Sequence, residues 1–338
     1  MGDCRSDSSH QFSAAAEDNH VTQVAFCDLR RPGPNLERVT GIPALTFVEH
    51  ILSILFQRKE FIDLLLPIIL PDPQELDSLT SEQLREYRTF IQYQGTLDIY
   101  LRDYPVQTFG ETCLESDKSV TIFINGQLVD RLESLELDVS AAPIISALLI
   151  TVLHELAHFL RMTKGLGNTP PILSVPRFCD ERQVDESNSG TRIVGESGYF
   201  VEEMFFGGVL TLLVPPTRSL AYEHVVGCCI ESSRKWTEAE FVMKNGPPMD
   251  CYAVCDERLW LQLKKIHSSQ SFTIPLVTKD TYLSETPYHN HTRLRMPCRF
   301  ESLDPPCDVG SPEDQQKLVA VDRVCNFHKQ PRPVKTVV

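Results

Sequence analysis

From Pro43 onward, apolar residues recur at Leu45, Val48, Ile51, Leu52, Leu55 and Phe56. Steps of three and four predict an amphipathic helix opened by proline. A second helix is predicted from Thr80, where Thr80 and Gln83 form a capping box, to near Gly95. The period then changes. Leu97, Ile99 and Leu101 alternate with Asp98, Tyr100 and Arg102, which predicts a strand. A further strand covers Ser119–Ile124, and Asn125-Gly126 predicts a tight hairpin turn into Gln127–Arg131. Helical spacing returns over Ser140–Met162, with Pro143 in the first turn, and stops before Lys164-Gly165-Leu166-Gly167. A polar, Pro-containing loop to about residue 190 leads to a helix over roughly 191–206, closed by Gly207-Gly208. An apolar run at 209–214, a mixed stretch at 219–231 and a helix at 253–267 follow.

This order predicts an α+β chain: a tail over residues 1–20, an α+β lobe over 21–165 that ends on the long apolar helix, a mainly helical lobe over 166–310, and a loose tail over 311–338. The segment Arg31-Pro-Gly-Pro34 reads as a rigid loop. With 338 residues, 42% hydrophobic and 23% charged, the chain can bury a large core. The formal net charge of −14, without a run of Lys and Arg, argues against a nucleic-acid partner. Acidity serves solubility, or a cleft that prefers basic or neutral substrates. Met1–Asn19 is polar and has no signal-like apolar stretch, so a cytoplasmic protein is expected. The apolar runs around Phe61–Leu70 and Ile144–Leu153 are too short or interrupted to predict a membrane span. Eleven cysteines, odd in number and scattered, predict reduced and mostly buried thiols. Cys251 with Cys255, or Cys228 with Cys229, lacks the paired spacing of a structural zinc site.

Chemistry concentrates on the long apolar helix. It contains His154-Glu155-x-x-His158, and on a helix positions i and i+4 share a face, so two imidazoles can reach one metal ion. Glu155 is then placed to take a proton from a metal-bound water. Thr151, His154, Glu155 and His158 form the one polar stripe of this helix. Burying two histidines and a carboxylate costs several kcal/mol unless they are paired or bound to metal. A satisfied core cluster of His and Glu is the bland alternative. A catalytic zinc site needs a third protein ligand. The segment Gly195-Glu196-Ser-Gly-Tyr-Phe-Val-Glu202-Glu203 carries the candidates. At about 100° per residue, Glu196, Tyr199, Phe200 and Glu203 share a face and Glu202 points elsewhere. Glu196 is favoured as the ligand, with Glu203 or Glu202 orienting the histidines. Gly195 and Gly198 would allow close approach to another helix. For a developing oxyanion, Tyr199 lies on the favoured face, and His289, His291, Arg293 and Arg295 form a second cluster.

His154-Glu155-x-x-His158 followed by a glutamate on a later helix resembles the gluzincin branch of the zincin metallopeptidases, the thermolysin-like clan. Gly195-Glu-Ser-Gly198 is also similar to a segment of poorly characterised fungal proteins with the same His-Glu-x-x-His helix. The resemblance covers residues 140–208. It implies a zincin-like fold in which a mixed sheet precedes the buried active-site helix. It also implies Zn2+ held by His154, His158 and Glu196. Thermolysin-like enzymes place a histidine-orienting acid four residues after the ligand glutamate, where this chain has Phe200. No third histidine follows at metzincin spacing, since Gly165 and Gly167 are followed by Asn168. The expected function is a zinc-dependent hydrolase that cleaves a peptide or small amide through a metal-bound water activated by Glu155, with no nucleic-acid or membrane partner. Alternatives are a zinc enzyme that tailors a small molecule, or a metal-free binding module.

Overall fold

A computed structural model describes residues 22–30, 38–92, 94–106, 108–115, 119–166, 182–184, 191–193, 197–215, 218, 221–232, 250–284 and 320–321. The first half is built on a mixed four-stranded sheet. Strand β1 (Gln23–Asp28) is followed by helices α1 (Pro43–Gln57), α2 (Lys59–Leu65) and α3 (Ser81–Gln92), then by β2 (Thr96–Arg102), β3 (Gly110–Leu114) and β4 (Val120–Asn125). The sheet order is β1-β2-β4-β3. The first three are parallel, with Phe26 opposite Ile99 and Ile99 opposite Ile122, and β3 runs antiparallel along the outer side of β4. The alternation read at Leu97, Ile99 and Leu101 is real. Those three residues are buried, while Thr96, Asp98 and Arg102 are exposed. Helix α1 opens at Pro43 as its spacing predicts, and α3 carries the capping box. The Thr80 hydroxyl accepts from Gln83 N–H at 3.2 Å and the Gln83 amide oxygen accepts from Thr80 N–H at 2.9 Å.

Asn125-Gly126 does not make a hairpin. Asn125 ends β4 and caps helix α4 (Gly126–Glu133), its side-chain oxygen accepting from Gln127 N–H at 3.1 Å. Leu128, Val129 and Leu132 are buried at helical spacing, and that period overrides the turn preference of the dipeptide. The antiparallel partner of β4 is therefore the preceding strand β3.

Helix α5 (Ala142–Thr163), with Pro143 in its first turn, is the centre of the molecule. Every residue from Ala142 through His158 is buried, as are Leu160 and Arg161. Arg161 donates to the Ile68 and Leu70 carbonyls at 2.8 and 3.4 Å, which ties the helix to the segment after α2. By length and composition the helical stretch Val139–Thr163 is apolar enough to cross a bilayer, yet 89% of its apolar window is buried inside the protein, as in a core helix.

Beyond α5 the picture departs from the expected helical lobe. Backbone strands β5 (Arg182–Val184) and β6 (Thr191–Ile193) pair antiparallel, so the next helix, α6 (Ser197–Phe206), starts later than the pattern predicts. Strands β7 (Val209–Leu213), β8 (Gly227–Ser232) and β9 (Asp250–Ala253) follow, with helix α7 (Asp256–His267) and strand β10 (Ala320–Val321). They form an antiparallel sheet in the order β10-β7-β8-β9. The second half is thus α+β rather than mainly helical. Short strands such as Val-Leu-Thr-Leu-Leu, buried along nearly their whole length, lack the alternation that marks a half-exposed strand. Two residues of the expected loose tail, Ala320 and Val321, pair with Leu213 and Leu212. The rest of that tail, residues 1–20 and the His289–Arg295 cluster lie outside the described residues.

Candidate functional site

The polar stripe of α5 meets α6 on one side and β3 on the other. His154 and His158, one helical turn apart, have ring centroids 5.2 Å apart with planes inclined at 59°. Nδ1 of His154 lies 2.8 Å from Oε1 of Glu202, and both side chains are buried. A hydrogen bond between Nδ1 and a carboxylate orients the ring and leaves Nε2 as its other nitrogen. The second Glu202 oxygen accepts from the Leu210 N–H at 3.3 Å, which fixes the carboxylate from the start of β7. His158 shares a hydrogen bond of 3.2 Å between Nδ1 and the Ser197 hydroxyl. Both Nδ1 atoms are thus engaged by α6.

The close approach of the two helices is a property of Gly198. A Cβ at this position would lie 2.3 Å from Cδ2 and Nε2 of His154. Tyr199 covers the next part of the same ring edge-on, with centroids 5.1 Å apart. The face of α6 turned to His154 therefore holds Gly198, Tyr199 and Glu202. This corrects the expected phase, in which Glu203 shared the face and Glu202 pointed away. The helix begins at Ser197, and docking of Gly198 on the imidazole sets its rotation. Glu203 is half-buried, and Glu196 lies outside the described residues. Glu202, six positions after Glu196 in the sequence, is the acid that hydrogen-bonds a histidine of the motif.

Glu155 is buried, and its carboxylate points at β3. The Thr112 hydroxyl lies 2.8 Å from Glu155 Oε2 and 3.0 Å from the Glu155 carbonyl oxygen. Thr151, the remaining member of the stripe, donates to the Ala147 carbonyl one turn back at 2.6 Å, so its polarity is satisfied within the helix. Sequence reasoning missed Thr112 because β3 is short, begins with glycine and shows no clear alternation. It missed Ser197 although that residue sits beside Glu196 in the segment already singled out.

Among the described residues no three or more His, Cys, Asp or Glu side chains gather as a metal-binding group. Two imidazoles alone would need a third ligand. The donor chemistry of the pair nevertheless suits zinc. A buried histidine whose Nδ1 is hydrogen-bonded to a buried carboxylate has an oriented ring, as metal-ligating histidines do. The described cysteines offer nothing comparable. The six described are free thiols, and burial raises the pKa of Cys228 well above the ordinary thiol range, which disfavours the thiolate that binds metal. Compared with protein-family models, with curated proteins and with solved structures, the chain matches none.

Proposed function

We propose that this chain is a zinc-dependent hydrolase of peptide or amide bonds, built on a zincin-like arrangement. The observation that supports this best is the Glu202–His154 hydrogen bond at 2.8 Å inside a buried His-Glu-x-x-His helix. The pairing satisfies two buried polar groups, and for a ligand histidine it also supplies orientation and basicity. The mixed sheet that precedes α5 agrees with this arrangement. His154 and His158 would hold the ion, with Glu196 as the candidate third ligand. Bound there, zinc would acidify a water molecule and polarise the scissile carbonyl.

The remaining steps belong to the chain itself. Glu155 takes the proton of the attacking water and returns it to the leaving amine, a shuttle that needs a carboxylate held in place beside the reacting atoms. Tyr199, packed on His154, is the candidate donor to the oxyanion. Strand β3 favours a peptide over a small molecule. It ends the sheet, no described strand pairs with its outer edge, and it touches Glu155, so an extended peptide could add to it by main-chain hydrogen bonds.

The test is a pool of internally quenched peptides of degenerate sequence, offered to the zinc-loaded protein and to Glu155→Gln. The wild type should cleave members of the pool. The variant should keep its zinc and lose about a hundredfold or more in turnover, the usual scale of general base catalysis. Equal turnover by both proteins would remove Glu155 from the mechanism.

A further inference from the structure

On the reading that Glu155 is the base, we infer that Thr112 is its positioning residue and that β3 is built to seat it. Two alternate positions of this strand face the same side chain, as the two-residue period of a strand requires. At the first, Gly110, an added Cβ would lie 3.0 Å from Glu155 Cγ and 2.8 Å from Thr151 Cγ2. The missing side chain leaves room for the Glu155 stem. At the second, Thr112, the hydroxyl reaches Oε2 at 2.8 Å. Thr112 is paired with Ile122 on β4, so its backbone is fixed, and a β-branched side chain in a strand has few rotamers to choose from.

The consequence for the chemistry is a division of labour between the two carboxylate oxygens. Thr112 engages Oε2, and proton transfer falls to Oε1. A base that can swing away from its hydrogen bond spends time out of reach of the reacting water. Loss of the anchor therefore lowers the chemical step while leaving the binding of metal and peptide as they were.

Thr112→Val removes the hydroxyl and keeps the branched shape, and Thr112→Ser restores the hydroxyl. With the fastest-cleaved peptide of the degenerate pool, Thr112→Val should lower kcat about ten- to a hundredfold, the scale of a small misplacement of a catalytic group, with KM and chelator-measured zinc affinity nearly unchanged. Thr112→Ser should recover most of the loss. Crystal structures of the zinc-loaded variants supply a readout free of substrate: the Glu155 carboxylate spreads over more than one rotamer in Thr112→Val and occupies one in Thr112→Ser. A single wild-type rotamer in Thr112→Val, an unchanged kcat, or failure of serine to rescue would overturn the inference. If the wild type cleaves no peptide, the peptidase reading falls on that result, and the crystallographic comparison decides the role of Thr112 by itself.

Discussion

Three contacts of His154 come from one short helix. Glu202 is hydrogen-bonded to its Nδ1, Gly198 gives its ring clearance, and Tyr199 packs against the ring. If the ring is a ligand, Glu202→Ala leaves zinc bound but less tightly, by about 10–100-fold, because an orienting carboxylate holds the imidazole without touching the ion. Competition with a chelator at fixed pH measures this, and an unchanged affinity would mean that the carboxylate serves packing alone. Gly198→Ala sets two effects against each other. Alanine in a helix is favoured over glycine by about 1 kcal/mol. Its Cβ, however, would stand 2.3 Å from atoms of a ring held by a hydrogen bond, so the ring or the helix must shift. The clash wins: the variant should melt below the wild type and bind zinc more weakly, and a melting temperature above wild type would contradict this packing. The motif itself was legible in the sequence because i and i+4 histidines announce a shared face. The identity of the orienting acid was not, since helix phase depends on where α6 begins, and its start is set by a contact with a residue 44 positions earlier in the chain.

At the scale of elements, the cap of α4 shows how one side chain can bind several segments. Asn125 is fully buried. Its oxygen accepts from Gln127 N–H, and its amide group donates to the Thr108 carbonyl at 2.8 Å and the Pro105 carbonyl at 3.1 Å. Asn125→Ala removes a cap worth about 1 kcal/mol and strands a buried carbonyl at about 1–3 kcal/mol, so a loss of about 2–4 kcal/mol is expected in urea unfolding. Helix α7 begins less favourably. Burial raises the carboxyl of Asp256 to about 6, with the neighbouring Glu257 adding to the effect. The folded chain therefore holds this proton at a pH where the unfolded chain releases it, and stability falls as pH rises from about 4 to about 6. Asp256→Asn should raise the melting temperature at pH 7.5, with the advantage shrinking as pH falls through 6 toward 4. A constant difference across that range would exclude titration of Asp256 as the cause. Long periodic helices such as α1, α3 and α5 could be read from the sequence, as could the alternating β2. Strands β1, β3 and β7 could not. They are short, and β1 and β7 are buried along nearly their whole length, so burial erases the alternation that would reveal them.

For the whole molecule, α5 joins the mixed sheet of the first half to α6 and the antiparallel sheet of the second. Glu155 is held from β3 and His154 from α6, so the candidate site exists only where the two halves meet on this helix. A metal ion shared by α5 and a residue after it would couple the halves. Zinc present at a thousandfold above its Kd would then add about 4 kcal/mol to the folded state. Metal analysis of the purified, dialysed full-length protein tests the central claim most directly, read together with its melting temperature before and after chelation. One zinc per chain is expected, lost in both His154→Ala and His158→Ala, with melting lowered by chelation and restored by added zinc. A wild-type protein that binds no zinc and melts unchanged with or without the ion would contradict the assignment of His154 and His158 as metal ligands.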